Sequence, residues 1–400
     1  MARVVNKETL VILCFLLLCL FQSFAFFQPD STLNPISFKG TYLALSFAII
    51  GYLFLVYNRN LCYNTVGLLF VFSVCAYWML EYTHSFGKLT FPSSTVYLVI
   101  IPYFFLNHSL QEKIYRAFVK VVFWMSLIGI LIFIVYIFNL LPPLSVVDYY
   151  EEDMVTSSYA NYLFGYLFIT DYGLTRFCGL FNEPGFFGTI AILTLISRKF
   201  KMDSVNIVIL IASLFTFSLA FFALLLIYFA LKAIAYKKVK FLFLIAILLT
   251  SVFYLSTKEL NDSNLLFFLQ RVIPEDGGLI SNNRTSYDLE QAWSIFINDS
   301  EKLFFGYGPF LSVKGSSYKI MIMKHGIIGM VLIFVPFILA CFKLARRNKD
   351  SVLLIIIFII SIYQRPQIFN LAYFVVLIGG ILHLRSSEVS NSGNHPVVCH

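Results

Sequence analysis

The sequence predicts an all-α fold: a polytopic transmembrane helical bundle of about twelve spans, with two large loops on one side. The chain has 400 residues, of which 59% are hydrophobic and only 12% are charged, whereas charged residues make up roughly a quarter of a soluble protein. The mean hydropathy is +0.82, so apolar runs of membrane-spanning length recur along the chain. Lys and Arg also gather in the loops of one side. A water-soluble globule is therefore excluded.

The predicted spans follow the apolar runs, because a hydrocarbon layer of about 30 Å needs about 20 helical residues. They lie near residues 9–28, 41–57, 65–82, 94–107, 118–141, 185–197, 203–217, 218–236, 239–256, 317–342, 351–363 and 368–384. We expect residues 1–400 to form a single integral membrane domain.

One apolar stretch, residues 203–236, requires a division. As a continuous helix it would be about 50 Å long, which is too long for one span. Basic residues flank it at both ends, at Arg198 and Lys199 and again at Lys237, and basic residues favour the cytoplasmic side. The stretch therefore crosses an even number of times, and we predict two short helices that turn near Phe217.

The distribution of charge predicts the orientation. The side that holds both termini carries an excess of Lys and Arg, so the positive-inside rule places both termini in the cytoplasm. The net charge of +8 then reflects topology, and we expect no nucleic-acid partner. The two long loops, residues 142–184 and 257–316, fall on the outer face. We expect them to lie on the bundle, partly as short interfacial helices, and to carry the chemistry.

Three arginines of the outer face lie in segments that look structured. Arg176 precedes a turn-rich run, Arg284 opens a segment with apolar residues at helical spacing, and Arg365 lies between two very apolar helices. An arginine close to hydrocarbon is costly unless it is paired or hydrated. Each one taken alone could snorkel or pair with a carboxylate. Together they predict a diphosphate site, because guanidinium groups bind phosphate oxygens in pairs without a metal.

Glu183 is the strongest candidate carboxylate. It stands directly before Pro184 and Gly185, where an acid favours a helix amino end and proline fits the first turn. It could serve as a cap only, or as a general base.

Other polar groups give weaker signals. The Gly306–Gly308 run would let the backbone approach a ligand closely, while Gly326 and Gly329 indicate close helix packing. Glu81, Lys324 and His325 fall at or inside predicted span ends, and a lone histidine there is more often packed than a ligand. No His/Cys cluster has zinc spacing, so we expect no metal and no cofactor.

The order of these elements resembles the O-antigen polymerase and O-antigen ligase superfamily. The resemblance rests on Arg176 with the Gly179–Gly188 run, then Leu214–Ser218, then Arg284 through Trp293 to Gly306–Gly308, then Gly326–Gly329. It covers most of residues 170–335, and the amino-terminal half matches only in hydropathy.

The resemblance implies a multi-pass enzyme of the bacterial inner membrane, a GT-C type glycosyltransferase. Such an enzyme uses undecaprenyl-diphosphate-linked oligosaccharide as donor on the periplasmic face, without a nucleotide sugar or obligatory metal. The arginines would hold the diphosphate, Glu183 would deprotonate the acceptor hydroxyl, and Trp293 and Tyr307 would stack on sugars. A chain-length regulator and a flippase are the expected protein partners.

Two departures favour a polymerase over a ligase. Ligases of the family carry a His-Asn pair just after the glycine motif, where this chain has Gly315–Tyr318. The family's frequent Ser-Arg pair is Ser218-Leu219 here. The alternatives that stay open are a ligase, which transfers polymer to lipid A core, and a lipid-linked oligosaccharide flippase, which is a transporter. The latter would place ionisable residues near mid-membrane.

Overall fold

The structure is a computed structural model. It describes residues 7–23, 48, 52, 64–84, 100–151, 154–162, 165–170, 175–181, 183–237, 287–313, 318–346, 348–364 and 370–392. The predicted span at 239–256, nearly all of that at 41–57, and both Arg284 and Arg365 lie outside the described residues.

Helices make up most of the described chain, as predicted. They are α1 Lys7–Ser23, α2 Thr65–His84, α3 His108–Ile137, α4 Pro184–Ser197, α5 Ser204–Leu214, α6 Leu219–Ala235, α7 Tyr287–Asn298, α8 Ser300–Phe305, α9 Tyr318–Ala345, α10 Lys349–Gln364 and α11 Leu371–Ser392. A short 3-10 helix, Gly308–Phe310, stands between α8 and α9.

Four of these helices are long and apolar enough to cross a membrane. They are α2, α3, α9 and, in α11, the stretch Leu371–Glu388. Each coincides with a predicted span, although α3 begins at His108, ten residues before the predicted 118. The four helices indicate a membrane protein, and the number of spans beyond them stays a prediction.

The first long loop is a β-sheet, and the expectation of interfacial helices there is wrong. Its strands are β1 Ser145–Glu151, β2 Met154–Asn161, β3 Tyr166–Thr170 and β4 Thr175–Gly179. They form one antiparallel meander in the order β1-β2-β3-β4. The strands are rich in Val, Tyr, Phe and Thr, residue types that pack well on a pleated surface. The fold is therefore mostly helical and not all-α.

The predicted division of residues 203–236 is confirmed. Helix α5 ends at Leu214, α6 begins at Leu219, and the turn between them contains Phe217 with a φ of 43°. Ser218 caps α6, since its hydroxyl accepts from the Phe221 amide. With no glycine available, Phe217 itself takes the left-handed conformation that a tight reversal needs.

The chain divides into two compact units. The first comprises Met1–Lys120, Ser197–Lys199 and Arg284–His400, and the second comprises Val121–Ile196 and Phe200–Asn283.

The core of the first unit is aromatic. Phe70 of α2 stacks on Phe104 at 4.7 Å between ring centroids, and both rings meet partners on α9 and α11, Phe337 and Phe374. All four side chains are buried. Offset and edge-on rings of this kind stabilise a core beyond the area they bury. This packing fixes α2 against α9.

The second unit packs β4 against helices. Phe177 of β4 meets Phe187 of α4 edge-on at 5.0 Å and lies against Gly129 of α3, where any side chain would overlap the phenyl ring. Phe177 and Phe187 are fully buried. The sheet is thereby joined to α3, which precedes it in the chain, and to α4, which follows it.

Candidate functional site

Helix α9 of the first unit is broken near its amino end. Gly326 has φ 65° and ψ 176°, which is far from helical geometry. Only glycine adopts this conformation without strain. A break leaves carbonyl groups of the preceding turn without their usual intrahelical donors, so those carbonyls need partners from elsewhere.

The segment Gly306–Gly308, which we call the glycine turn, supplies one of those partners. The Tyr307 amide donates to the Met323 carbonyl at 2.7 Å. Gly306 has φ 80°, and a Cβ on it would overlap the Lys324 carbonyl. The glycine turn thus lies directly on the backbone of the broken helix. The close approach predicted for these glycines is made to protein backbone.

Four ionisable side chains gather next to this contact, and we call them the ionic cluster: Glu81 and His84 of α2, and Lys324 and His325 of α9. Lys324 Nζ lies 2.8 Å from one oxygen of Glu81, and His325 Nε2 lies 3.1 Å from the other. The Glu81 side chain is only 17% exposed and that of His325 only 1%. Burying charges this far is costly unless they are paired, and here they are paired.

The two histidines of the ionic cluster face each other. Their rings stack with centroids 5.0 Å apart and an interplanar angle of 23°. The edge of Tyr77 meets His325 at 5.6 Å. Above them, Gly308 is so close to His84 that a Cβ would lie 3.1 Å from the imidazole Cδ2. Gly308 of the glycine turn therefore lies directly on the His84 ring.

Two nitrogens of this pair are buried without a hydrogen bond. Within the described residues, neither His325 Nδ1 nor His84 Nδ1 has a partner. In the neutral ring, the nitrogen that donates to Glu81 is Nε2, so Nδ1 carries the lone pair. A buried lone pair without a donor costs about 1–3 kcal/mol. Among the described residues, five other buried side-chain atoms also have no partner, but the two histidine nitrogens are the ones that lie beside a paired carboxylate.

The ionic cluster lies toward one end of α2 and α9. The Ser73 hydroxyl donates to the Ile333 carbonyl at 2.5 Å, while Glu81 meets Lys324, so the two helices run antiparallel. Glu81 is three residues from the end of α2 and His325 is in the third turn of α9. This end corresponds to the predicted outer face.

Trp293 and Tyr307, predicted to contact sugars, lie together in the first unit. Both rings flank the buried Phe296, at centroid distances of 5.5 and 5.6 Å. Trp293 also has Lys319 Nζ over its ring at 5.7 Å, and Lys319 is paired with Glu290. Both aromatic residues thus help to hold α7 against α9, which is a structural role.

Arg176, predicted to bind diphosphate, lies in the second unit on β4. Its Nε donates to the Thr216 carbonyl at 3.0 Å and its Nη2 to the Phe217 carbonyl at 3.2 Å. These carbonyls belong to the turn between α5 and α6. The guanidinium therefore caps the backbone of a turn whose Thr216 is fully buried.

Glu183, the predicted base, lies at the amino end of α4 and is half-buried. Its backbone carbonyl accepts from the Phe186 amide at 3.1 Å and from the Phe187 amide at 3.4 Å, so it occupies the predicted capping position. Gly188, one turn further on, lies against Ser218, with 3.3 Å between a built Cβ and the Ser218 Cβ. The second unit thus joins the start of α4 to the start of α6.

The structure does not describe the other two arginines predicted to bind diphosphate. Arg284 and Arg365 lie outside the described residues, so the predicted grouping of three arginines stays a prediction. In the part of the chain that the structure describes, no group of three or more His, Cys, Asp or Glu residues is arranged to hold a metal ion.

Sequence reasoning noted Glu81, Lys324 and His325 separately and missed their association with His84. Glu81 and Lys324 are 243 residues apart in the chain, so no local spacing connects them. The available signal was the cost of ionisable residues at span ends, which favours pairing. Two candidate spans that both carry such residues at the outer end are natural partners.

Comparisons with protein-family models, with curated proteins and with solved structures gave no match to this chain. The superfamily resemblance therefore rests on the motifs alone.

Proposed function

We propose that this chain is a metal-independent membrane glycosyltransferase that polymerises O-antigen or a related surface polysaccharide. It would join undecaprenyl-diphosphate-linked oligosaccharide units at the periplasmic face of the bacterial inner membrane, by inverting glycosyl transfer. The chain-length regulator and the flippase expected from the sequence are part of this proposal.

One observation carries the proposal: segments that define the superfamily resemblance meet in space, although they are far apart in the chain. In the first unit the glycine turn lies on the break at Gly326. In the second unit Arg176 binds the carbonyls of Thr216 and Phe217. Chance motif matches scattered over a sequence have no reason to be neighbours in the fold.

The chemistry follows from the residue types. Arg176, Arg284 and Arg365 would hold the diphosphate and stabilise negative charge as the leaving group departs, which preorganised donors in a dry cleft do well. Glu183 would take the proton of the acceptor hydroxyl. Trp293 and Tyr307 would offer ring faces to sugars.

The ionic cluster also bears on the transporter alternative, because buried ionisable residues mark proton and substrate pathways in transporters. The position of the ionic cluster favours a reaction at the membrane surface over transport across the membrane. Glu81 and His84 lie in the last turn of α2, whereas transporter sites lie near the bilayer midplane. An enzyme that meets its substrates at the membrane surface fits this position better.

The decisive experiment incubates the purified full chain in detergent with lipid-linked repeat units. A ladder of longer products supports the polymerase, and transfer to added lipid A core supports the ligase. The absence of any new glycosidic bond in both reactions would refute a glycosyltransferase and leave the flippase. Alanine variants of Arg176, Arg284 and Arg365 test the diphosphate role: full ladders from all three would contradict it.

A further inference from the structure

The unsatisfied nitrogen of His325 is the most informative atom of the ionic cluster. Glu81 fixes the ring by accepting from Nε2 at 3.1 Å, and Nδ1 has no partner among the described residues. A carboxylate that holds one imidazole nitrogen leaves the other as a base of defined position. The lone pair on Nδ1 is therefore available to accept a hydrogen bond from an O–H group.

We propose that the Glu81–His325 pair accepts the proton of the attacking hydroxyl in the glycosyl transfer proposed above. This inference rests on that function and assigns its base to the first unit in place of Glu183. His325 is the catalytic residue of the pair, and Glu81 is a positioning residue that stabilises the imidazolium.

In the proposed step, two bonds break and two bonds form. The acceptor O–H bond breaks as its oxygen forms a bond to the anomeric carbon of the donor. The bond from that carbon to the diphosphate oxygen breaks, and its electron pair stays on the leaving diphosphate. The proton passes directly to His325 Nδ1 and later returns to solvent. No oxidant, reductant or metal takes part.

The burial of His325 favours reaction with the acceptor hydroxyl over hydrolysis of the donor by water. The His325 side chain is only 1% exposed, the His84 ring covers one of its faces, and Gly308 lies on His84. Bulk water is therefore kept from Nδ1, which limits hydrolysis of the donor. Because His84 is only half-buried, the acceptor hydroxyl reaches the lone pair when the His84 ring turns aside.

Polar and aromatic groups hold the imidazole ring from two helices. The groups that face His325 are Glu81, His84 and Tyr77 on α2 and its neighbour Lys324 on α9. Of these, the Glu81 carboxylate bonds to the ring at Nε2 and so fixes the direction of Nδ1. A change at Glu81 should therefore lower the rate of the chemical step even though Glu81 does not touch the substrate.

The chain supplies a matched control. His383 of α11 also meets a carboxylate, with Nδ1 at 3.1 Å from Glu112 Oε1, and it is 24% exposed. That pair joins α11 to the first turns of α3, at the end predicted to be cytoplasmic. His383→Gln removes an imidazole of the same kind without touching the ionic cluster.

The experiment measures ladder formation by purified full-length protein at one fixed pH. His325→Gln keeps a donor for Glu81 but has no basic nitrogen, and it should lower kcat at least about 100-fold with little change in KM. His383→Gln should stay within about twofold of the unaltered protein. Glu81→Gln keeps an oxygen that accepts from Nε2 but loses the negative charge, and it should lower kcat about 10-fold with little change in KM.

The outcomes separate the two proposals. If His325→Gln retains kcat within about threefold, the proton role is wrong while polymerase activity stands. If the unaltered protein forms no glycosidic bond, the proposed function fails, and this role fails with it. Should His325→Gln not fold, Glu81→Gln decides the matter at a temperature where that variant is folded: a fall in kcat at unchanged KM supports the proton role, and an unchanged kcat contradicts it.

Discussion

Gly306 and Gly326 lie back to back. A Cβ on Gly306 would come within 2.7 Å of the Gly326 amide nitrogen, and a Cβ on Gly326 within 2.6 Å of the Gly306 amide nitrogen. Both residues have positive φ, 80° and 65°. The contact between the glycine turn and the broken helix therefore depends on the absence of two side chains.

Alanine at either glycine should destabilise the protein. Gly326→Ala combines a left-handed backbone with overlap onto the Phe304 carbonyl, so we expect a loss of about 2–5 kcal/mol. The measurement is the melting temperature of the purified protein in detergent. Gly165→Ala is the control, because its Cβ would meet only the end of the Ile132 side chain, at 2.9 Å, and that methyl group can move. If the unaltered protein, Gly326→Ala and Gly165→Ala all melted at the same temperature, the result would contradict this contact.

The pair between Glu81 and Lys324 should contribute more to stability than an exposed pair. Glu81→Gln leaves Lys324 without its carboxylate in a site where the two side chains are 17% and 28% exposed, and we expect a loss of about 1–3 kcal/mol. As the control, Glu8→Gln breaks the pair between Glu8 and Lys113, whose side chains are 42% and 48% exposed respectively. This change should lower the free energy of unfolding by at most about 1 kcal/mol.

A double variant completes the test of this pair. Glu81→Gln with Lys324→Gln should recover part of the loss, because no uncompensated charge remains. Purely additive losses in a double-mutant cycle, read from detergent melting curves, would mean that the two side chains are not coupled.

Arg176 should stabilise the second unit even when no substrate is present. Arg176→Ala leaves the carbonyls of Thr216 and Phe217 without this donor, which should cost about 1–3 kcal/mol. Arg116→Ala is the control, because Arg116 is 61% exposed and, among the described residues, its bonds go to Glu112 in its own helix. A variant at position 176 that melts normally yet forms no ladder would instead assign this arginine to the diphosphate alone.

Cys178 should resist thiol reagents until the second unit unfolds. Burial raises the pKa of the Cys178 thiol above its ordinary value, and its Sγ donates to the Tyr166 carbonyl at 3.0 Å. Maleimides react with the thiolate, so a variant that keeps only this cysteine should stay unlabelled even at pH 8–9. Rapid labelling of the folded protein at pH 7 would contradict the buried position of β4.

The orientation of the chain can be read with introduced cysteines. Ser145 of β1 and Glu388 of α11 are both exposed, and the sequence predicts opposite sides of the membrane for them. In a variant without other cysteines, Ser145→Cys should react with an impermeant maleimide from the periplasm. Glu388→Cys should react only after the inner membrane is opened. The reverse pattern would invert the predicted topology.

Sequence reasoning located helices well where hydropathy decides. The predicted span at 65–82 is observed as Thr65–His84, and the turn near Phe217 is observed where charge parity required it. Helix α3 begins earlier than predicted because its first turns are polar. There Glu112 and Arg116 form an i,i+4 pair, which stabilises a helix but is invisible to a scale of apolarity.

The sheet and the ionic cluster escaped prediction for different reasons. Strands β1 and β2 contain Val, Tyr and Thr, which favour strands, but an acidic run that includes Asp148 and Glu151 is more typical of a solvated loop. The ionic cluster depends on the antiparallel packing of α2 on α9. Hydropathy predicts that each helix exists but does not say which helices are neighbours.

The length of α5 has a consequence for topology mapping. Eleven residues rise about 16 Å, roughly half of a hydrocarbon layer. Two arrangements are consistent with this length: the hairpin of α5 and α6 enters the membrane to half its depth and returns, or it crosses the membrane fully and returns. In both arrangements Lys237 lies on the same side of the membrane as Ser204. Reporter fusions anywhere downstream record the same parity in both cases. Only a label at the hairpin tip, such as Phe215→Cys, distinguishes a half-depth excursion from a complete crossing.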